Sequence, residues 1–237
     1  MNIAGSGSLP GGDYNEGIHI SGSGKVKGNT SCTEFSISGS GKVEGDLHCT
    51  GKVKISGSGT IKGNVDTAEF SVAGSGKVNG LLRGDKCSVS GSFHAGSVSA
   101  GNLHVGGSMK SDGDVSAENA VIRGGISAAG LINAEKLDVE FDSTSDADSI
   151  GGSQISIRKK NPIGGFIGKL FGKKESGYFN VNGSIEGDVI YIEYTIAESV
   201  VGREVNIGPG CKIKNVSYTD SIKISDDAEV ESKNAPL

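Results

Sequence analysis

The sequence contains no tryptophan, and aromatic residues make up only 5% of the chain. Apolar residues make up 35%, which leaves little material for the core of a bulky globular domain. No run approaches the roughly 20 apolar residues that a membrane-spanning helix requires. The first residues, MNIAGSGSLPGG, have neither the charge nor the apolar run of a secretory signal peptide. We therefore expect a cytoplasmic protein.

Cysteine pairs at metal-binding or redox spacing are also absent. No C-x-x-C motif includes any of the four cysteines, Cys32, Cys49, Cys87 and Cys211. This argues against a zinc site and against a thioredoxin-like motif. The formal net charge of −5 argues against a protein that binds nucleic acid over its whole surface.

Glycine is abundant, with 40 residues, and much of it lies in a repeated motif. The stretch ISGSGKVKG, starting at Ile20, resembles a phosphate-binding loop but lacks the first glycine and the hydroxyl residue after the lysine. Close copies of it start at Ile37, Ile55 and Val72. Because one nucleotide does not need four binding loops, we interpret the motif as a structural repeat and expect no nucleotide and no other cofactor.

The repeat is about 17 residues long. We define its anchor as the Ile or Val that opens each copy, and successive anchors are 16 to 18 residues apart up to a gap of 35: Ile20, Ile37, Ile55, Val72, Val89, Val105, Ile122, Val139, Ile157, then Ile192, Ile207 and Ile224. The gap corresponds either to two steps or to one step plus an insertion. Glycines stand two and about eight residues after most early anchors, and we interpret them as corners that use left-handed backbone angles.

Between the corners, apolar residues alternate with polar ones, which is the periodicity of β-strands. Each repeat contains three such short segments. The sequence therefore predicts an all-β fold, a triangular β-helix solenoid with rungs of about 17 residues and one inserted loop or short helix. Residue sizes support it: four after the anchor, glycine gives way to Phe93, Met109 and Ile126, and six after it Val or Ile gives way to Ala95, Ser111 and Ala128. Such an exchange is expected where both positions fill one cross-section.

One basic, amphipathic segment interrupts the solenoid between residues 158 and 177. Asn161 and Pro162 suit a helix start, and the apolar residues after them fall on one helical face. An anionic membrane surface is one candidate partner for this face; packing on the solenoid itself, or on another protein, are the alternatives. The candidate membrane-binding residues are Arg158, Lys159, Lys160, Ile163, Phe166, Ile167, Lys169, Leu170, Phe171, Lys173 and Lys174.

The predicted organisation is a flexible tail over 1–17, regular rungs over 18–157, the insertion over 158–177, further rungs over 178–230 and a tail over 231–237. Neither tail has the pattern of a cap, so we expect the terminal rungs to present unpaired backbone groups. Such ends can satisfy one another by stacking, which predicts a homopolymer. The candidate interface residues are Ile18, Ile20, Val26, Ile222, Ile224 and Val230.

No cluster of catalytic or metal-binding residues is expected. All four histidines are predicted to lie on the surface of different rungs, and the acidic run KLDVEFDSTSDADS lacks the spacing of a calcium loop. Cys32 and Cys49 share one repeat position, which predicts buried thiols stacked on neighbouring rungs. Hexapeptide acyltransferases also form triangular β-helices, and Val201, Ile207 and Ile213 have their spacing, but no histidine follows His104 to act as base. We predict no enzyme.

The repeat I-S-G-S-G-K-V-x-G resembles the bactofilins, a family of polymer-forming bacterial cytoskeletal proteins. The resemblance is strong over 18–139 and weak over 179–230. It implies a right-handed β-helix that assembles end to end without nucleotide, often at the membrane, as a scaffold for cell shape, envelope or motility proteins. The insertion and the larger number of rungs depart from the usual family pattern. A monomeric β-helix that serves as a binding module is the alternative.

Overall fold

The computed structural model describes residues 1–160 and 177–234. The chain divides into two compact units, residues 1–119 and 120–237, and each is described by itself below. All regular elements of the described residues are β-strands, and they form a parallel β-solenoid. The prediction of an all-β solenoid is therefore confirmed.

The strands of the first unit are β1 (Asn2–Ile3), β2 (Ser6–Asp13), β3 (Ile18–Ile20), β4 (Ser23–Cys32), β5 (Phe35–Ile37), β6 (Ser40–Val43), β7 (Leu47–Ile55), β8 (Ser58–Ile61), β9 (Val65–Val72), β10 (Ser75–Val89), β11 (Ser92–Val105), β12 (Ser108–Ser111) and the start of β13 (Val115–Ile122). The strands of the second unit, after β13, are β14 (Gly125–Phe141), β15 (Ser145–Lys159), β16 (Phe179–Ile192), β17 (Thr195–Ile207), β18 (Lys212–Ile224) and β19 (Glu229–Asn234).

Consecutive rungs pair in parallel and in the register that the repeat predicts. In the first unit Ile20 lies opposite Ile37, and Ile37 lies opposite Ile55. Each rung has three strand segments, as β5, β6 and the first part of β7 illustrate. The anchors of the first unit are buried because alternate side chains of a strand point to the same face, and that face is the solenoid interior.

In the second unit, Val139 lies opposite Ile157 and Ile157 lies opposite Ile192. The gap of 35 residues in the sequence is therefore one step plus an insertion, and the first of the two interpretations is excluded. β15 continues through Lys159, into the predicted insertion of 158–177, whereas β16 starts at Phe179, just after the predicted end of the insertion.

The exchange of residue sizes is confirmed by burial and register. Phe93 lies opposite Gly76 on the rung before it and opposite Met109 on the rung after it, and all three are buried. Ala95 and Ser111 are completely buried beside them. The Phe93 ring also contacts that of Phe70 at 5.1 Å between ring centroids. Where one of these two adjacent interior columns holds a large residue, the other holds a small one, which keeps the core filled.

The corner glycines are required by close approach, and the expectation of left-handed angles was wrong for most of them. Among the described glycines only Gly12, Gly28, Gly177 and Gly210 have positive φ. A Cβ atom at Gly57, two after its anchor, would lie 2.1 Å from the carbonyl oxygen of Gly39 on the preceding rung. The rungs therefore touch through their backbones at this corner, and any side chain would separate them.

A ladder of Asn and Asp side chains explains the second column of glycines. Oδ1 of Asn64 accepts a hydrogen bond from the N–H of Leu81 at 2.9 Å, and Asp46 accepts one from the N–H of Asn64 at 2.7 Å. A Cβ atom at Gly80 would lie 2.3 Å from the same Asn64 Oδ1. Gly80 therefore leaves room for the side-chain amide of Asn64, which accepts the hydrogen bond from a backbone N–H of the next rung.

Candidate assembly interface

The first rung begins earlier than predicted. β1 and β2 pair with β3 and β4, so residues 2–13 form a rung where a flexible tail was expected. Ile3 lies opposite Ile20, 17 residues on, and GSGSL repeats the motif GSGKV. That signal was present in the sequence and was missed.

The predicted interface residues of this end are consequently covered. Ile18, Ile20 and Val26 are each at most 1% exposed, because the earlier rung packs over them. Their assignment to a terminal rung was wrong. The outer edge of β1 and β2 has no strand partner in the described part of the chain, and its interior column contains Ile3 and the half-buried Leu9.

Pro10 lies on this outer edge at a position where later rungs form a backbone hydrogen bond. The equivalent residues Glu44 and Lys62 each donate their N–H to the preceding rung at 2.9 Å. Proline has no N–H, so the first rung lacks this donor toward a further rung. The N-terminal edge is open, but one of its hydrogen bonds is missing.

In the second unit, Ile222 and Ile224 lie near the end of β18. Ile222 and Ile224 pair with Val205 and Ile207, which are almost completely buried, yet Ile224 itself is 37% exposed and Ile222 is half-buried. No strand of the described residues follows them at this column, because β19 covers only the first part of β18. An interior column is therefore left uncovered.

β19 extends this end beyond the predicted limit at Val230. Val230 lies opposite Ile213 and is half-buried, and the strand continues to Asn234, inside the predicted tail. Lys233 lies opposite Val216, whose column is filled by Val200 on the rung before. The last strand thus places a charged residue at an interior position, where its Nζ lies 5.7 Å from the centre of the Tyr218 ring.

Basic residues at the start of the insertion contact side chains of the solenoid. Arg158 donates a hydrogen bond to Asp138 at 2.7 Å, and Arg123 binds the same carboxylate. Nζ of Lys159 lies 4.3 Å from the centre of the Tyr194 ring. Lys160 is exposed. Two of the three basic residues here therefore stabilise the solenoid itself.

The remaining predicted membrane-binding residues lie outside the described residues. They are Ile163, Phe166, Ile167, Lys169, Leu170, Phe171, Lys173 and Lys174.

The electrostatics of the Asp138 cluster favour its ionised form. Burial opposes the ionisation of Asp138, but the hydrogen bonds and charges of Arg123 and Arg158 outweigh it and hold the pKa of this carboxyl below its usual value. The same hydrogen bond raises the pKa of Arg158. Arg123 also lies 3.5 Å from Glu140. The cluster connects neighbouring rungs next to the insertion.

All four thiols are buried, as predicted for Cys32 and Cys49, and the hydrogen bond with Cys32 lowers the pKa of Cys49 to about 7. Cys32 lies in register with Cys49, and both are free. The hydrogen bond with Cys49, together with burial, raises the pKa of Cys32. Burial raises the pKa of Cys87 to about 12 and that of Cys211 to about 11. None of these three is held as a reactive thiolate.

Within residues 1–160 and 177–234, the structure brings together no group of His, Cys, Asp and Glu that could hold a metal ion. His19, His48 and His104 are exposed, and His94 is half-buried against Asp112 at 2.8 Å. None of the described segments forms a helix long and apolar enough to cross a bilayer.

Comparisons with known proteins agree with this geometry. Residues 3–83 match the model of the bactofilin family, described as polymer-forming cytoskeletal. Over 106 residues the chain is 31% identical to the uncharacterized protein YhbF of Bacillus subtilis (strain 168), a stretch that covers 44% of this chain and 41% of that protein. The chain thus spans less than half the length of this relative. No solved structure matches it significantly.

The family match begins at Ile3, the first anchor that the structure reveals, and it includes the first rungs with their repeated G-S-G motif. The resemblance to the bactofilins, polymer-forming cytoskeletal proteins, is thereby confirmed over residues 3–83.

Proposed function

We propose that this protein is a structural scaffold that forms filaments by end-to-end stacking of its rungs, without nucleotide and without catalysis. The observation that carries the proposal is the open column at Ile222 and Ile224, whose equivalents on the preceding rung are buried. Covering such a column removes apolar surface from water and pairs free backbone groups. The family description of the first rungs supports the same function.

The assembly test compares the wild-type chain with Ile224→Lys by sedimentation. A lysine at this position adds a charge to the exposed column and leaves the covered rungs unchanged. We expect the wild-type chain to sediment as polymers with or without nucleotide, and the variant to remain largely in the supernatant. Lys223→Gln, on the outward face of the same strand, is the control and should behave as wild type. Equal sedimentation of both variants would contradict stacking at this edge.

We further propose that the filament lies in the cytoplasm at the inner surface of the membrane, where it supports envelope or motility proteins. The insertion supports this part of the proposal, because its sequence combines an apolar helical face with lysines. Arg158 and Lys159 contact the solenoid, so the attachment depends on the lysines of the insertion proper.

The membrane test replaces residues 161–176 with a Gly-Ser linker of equal length, which leaves the Asp138 cluster intact. Binding to vesicles that contain anionic lipid should be lost, while the circular dichroism spectrum should keep its β character. A variant with glutamine at Lys169, Lys173 and Lys174 should bind these vesicles more weakly and show a shallower dependence on anionic lipid content. Unchanged vesicle binding after the replacement would exclude attachment through the insertion.

A monomeric binding module is the second candidate function. Pro10 and Lys233 favour it, since each makes the addition of a further rung less favourable at its edge. Sedimentation of the wild-type chain as a monomer at all concentrations would decide for this alternative.

A further inference from the structure

One outward face of the first unit carries a row of basic residues. We name it the lysine ladder: the position five after the anchor, which pairs in register from rung to rung and holds Lys25, Lys42, Thr60, Lys77, His94 and Lys110. The column two residues further along the same face holds Lys27 and Lys62, together with Glu44 and Asp112. Neighbouring rungs are about 4.8 Å apart, so the ammonium groups form a linear array, which Thr60 and His94 interrupt.

Most of this charge is not neutralised within the described part of the molecule. Lys25 lies 3.5 Å from Glu44, and Lys110 lies 4.0 Å from Asp112. No ion pair within the described residues involves the others, Lys27, Lys42, Lys62 and Lys77.

In a second outward column of the first unit, by contrast, basic and acidic residues pair with each other. Three positions before the anchor, Lys52 lies opposite Glu69, which lies opposite Lys86. Lys52 binds Glu69 at 2.7 Å. Charges alternate there, whereas lysines accumulate in the ladder.

The first part of the ladder, Lys25, Lys42 and Thr60, borders a shallow groove of about 500 Å³. Its floor is formed by glycines four after the anchor, where a Cβ atom at Gly41 would lie 2.7 Å from Cδ1 of Ile37. Because glycine has no side chain, the strand can lie directly against the anchor side chains. The groove ends at Thr60, and two rungs later the position four after the anchor is filled by Phe93. The opposite rim is a column of exposed serines, of which Ser6, Ser23, Ser40 and Ser58 line the groove.

We propose that this groove and its ladder bind a linear polyphosphate chain. Ammonium groups provide the charge that a polyanion needs, and the serine hydroxyls can donate hydrogen bonds to its oxygens. A narrow groove suits a single extended chain better than a flat bilayer. Single-stranded nucleic acid needs aromatic side chains for base stacking, and the ladder and the serine rim contain neither Phe nor Tyr. The proposal does not depend on filament formation.

The test measures binding of fluorescently labelled polyphosphate to the full-length chain by anisotropy, over a range of salt concentrations. The ladder variant is Lys42→Gln, Lys62→Gln and Lys77→Gln. Because each lost phosphate contact reduces the slope of log K against log salt by about 0.7, we expect the slope to fall by about 2 and the affinity to fall at least tenfold.

The matched control removes the same charge from the other faces of the same unit, by Lys54→Gln, Arg83→Gln and Lys86→Gln. We expect it to bind within about twofold of wild type, and we expect Ser40→Glu with Ser58→Glu, which places carboxylates on the rim, to bind as weakly as the ladder variant. The proposal is overturned if the ladder variant and the control lose equal affinity, or if neither loses any. Tighter binding of an oligo-dT strand or of anionic vesicles, with the same dependence on the ladder, would show that polyphosphate is the wrong occupant.

Discussion

Lys233 lies in register with Val216, so the last strand carries an ammonium group at a column that Val200 and Val216 fill on the two preceding rungs. A charge at an interior position disfavours the addition of a further strand, because that strand would bury it. The C-terminal edge thus combines an open apolar column at Ile224 with a charge on the last strand. This arrangement limits how another rung can pack there.

Replacing Lys233 with valine should promote assembly. The variant extends the apolar column and removes the cost of burying a charge, so polymers should form at a lower protein concentration, measured by light scattering. Lys223→Val, which makes the same chemical change at an outward position, serves as control and should leave this concentration close to that of the wild type. A Lys233 variant that assembles no more readily would show that this position does not face another molecule.

Pro10→Lys should also favour assembly, by restoring a backbone donor on the outer edge of β2. The next rung already has lysine at this position, Lys27, so the side chain fits the strand. One added hydrogen bond contributes about 1 kcal/mol, which is about a fivefold lower concentration for assembly. Ser8→Lys adds the same charge without the donor and separates the two effects. If Pro10→Lys and Ser8→Lys assemble at the same concentration, the change is due to the added charge and not to the backbone donor.

The Asn64 ladder predicts a specific coupling with Gly80. Asn64→Ala removes the acceptor of the Leu81 N–H and should cost about 1 kcal/mol in the free energy of unfolding. Gly80→Ala should destabilise as well, because the new Cβ would meet Asn64 Oδ1. In the double variant the amide is gone, so the two costs should not add, and urea unfolding should give a coupling of about 0.5 kcal/mol or more.

Gly74→Ala provides the contrast. Its Cβ would lie 2.1 Å from the backbone oxygen of Gly57, which no side-chain deletion can remove. Asn64→Ala should therefore give additive costs with Gly74→Ala. Additivity with Gly80→Ala as well would contradict the explanation of this glycine column.

The Asp138 cluster predicts a dependence of stability on acid pH. Its folded pKa is depressed, so the stabilisation is complete above the ordinary pKa of about 4 and is lost as the pH falls through the folded value. Asp138→Asn should lower the Tm at pH 7, and the difference from wild type should shrink below about pH 4. Asp188→Asn, at an exposed residue, should show a much smaller difference throughout. A Tm difference for Asp138→Asn that does not change with pH would contradict an electrostatic role.

The fold could be predicted well from the sequence because a solenoid repeats one local arrangement of strands and corners. Each anchor has the same neighbours one repeat away, so spacing alone predicts register, and the exchange between Phe93 and Ala95 predicts which side chains face inward. The first rung was missed because only part of the motif, GSGSL, is present and Pro10 follows it. Lys233 could not be recognised, since an interior lysine contradicts the periodicity used to find interior positions.

The glycine columns show a second limit of the sequence. Their spacing indicates corners, but it does not distinguish left-handed backbone angles from close approach to a neighbouring rung. Only contacts between residues such as Gly57 and Gly39 reveal the second cause. Likewise, the basic character of residues 158–160 does not show that Arg158 binds Asp138.

Electron microscopy of the purified full-length protein, negatively stained and without nucleotide, tests the central claim most directly. Stacking of terminal rungs predicts unbranched filaments, and Ile224→Lys should shorten or abolish them while the circular dichroism spectrum stays that of the wild type. Discrete single particles at every protein concentration, for the wild-type chain, would contradict the account.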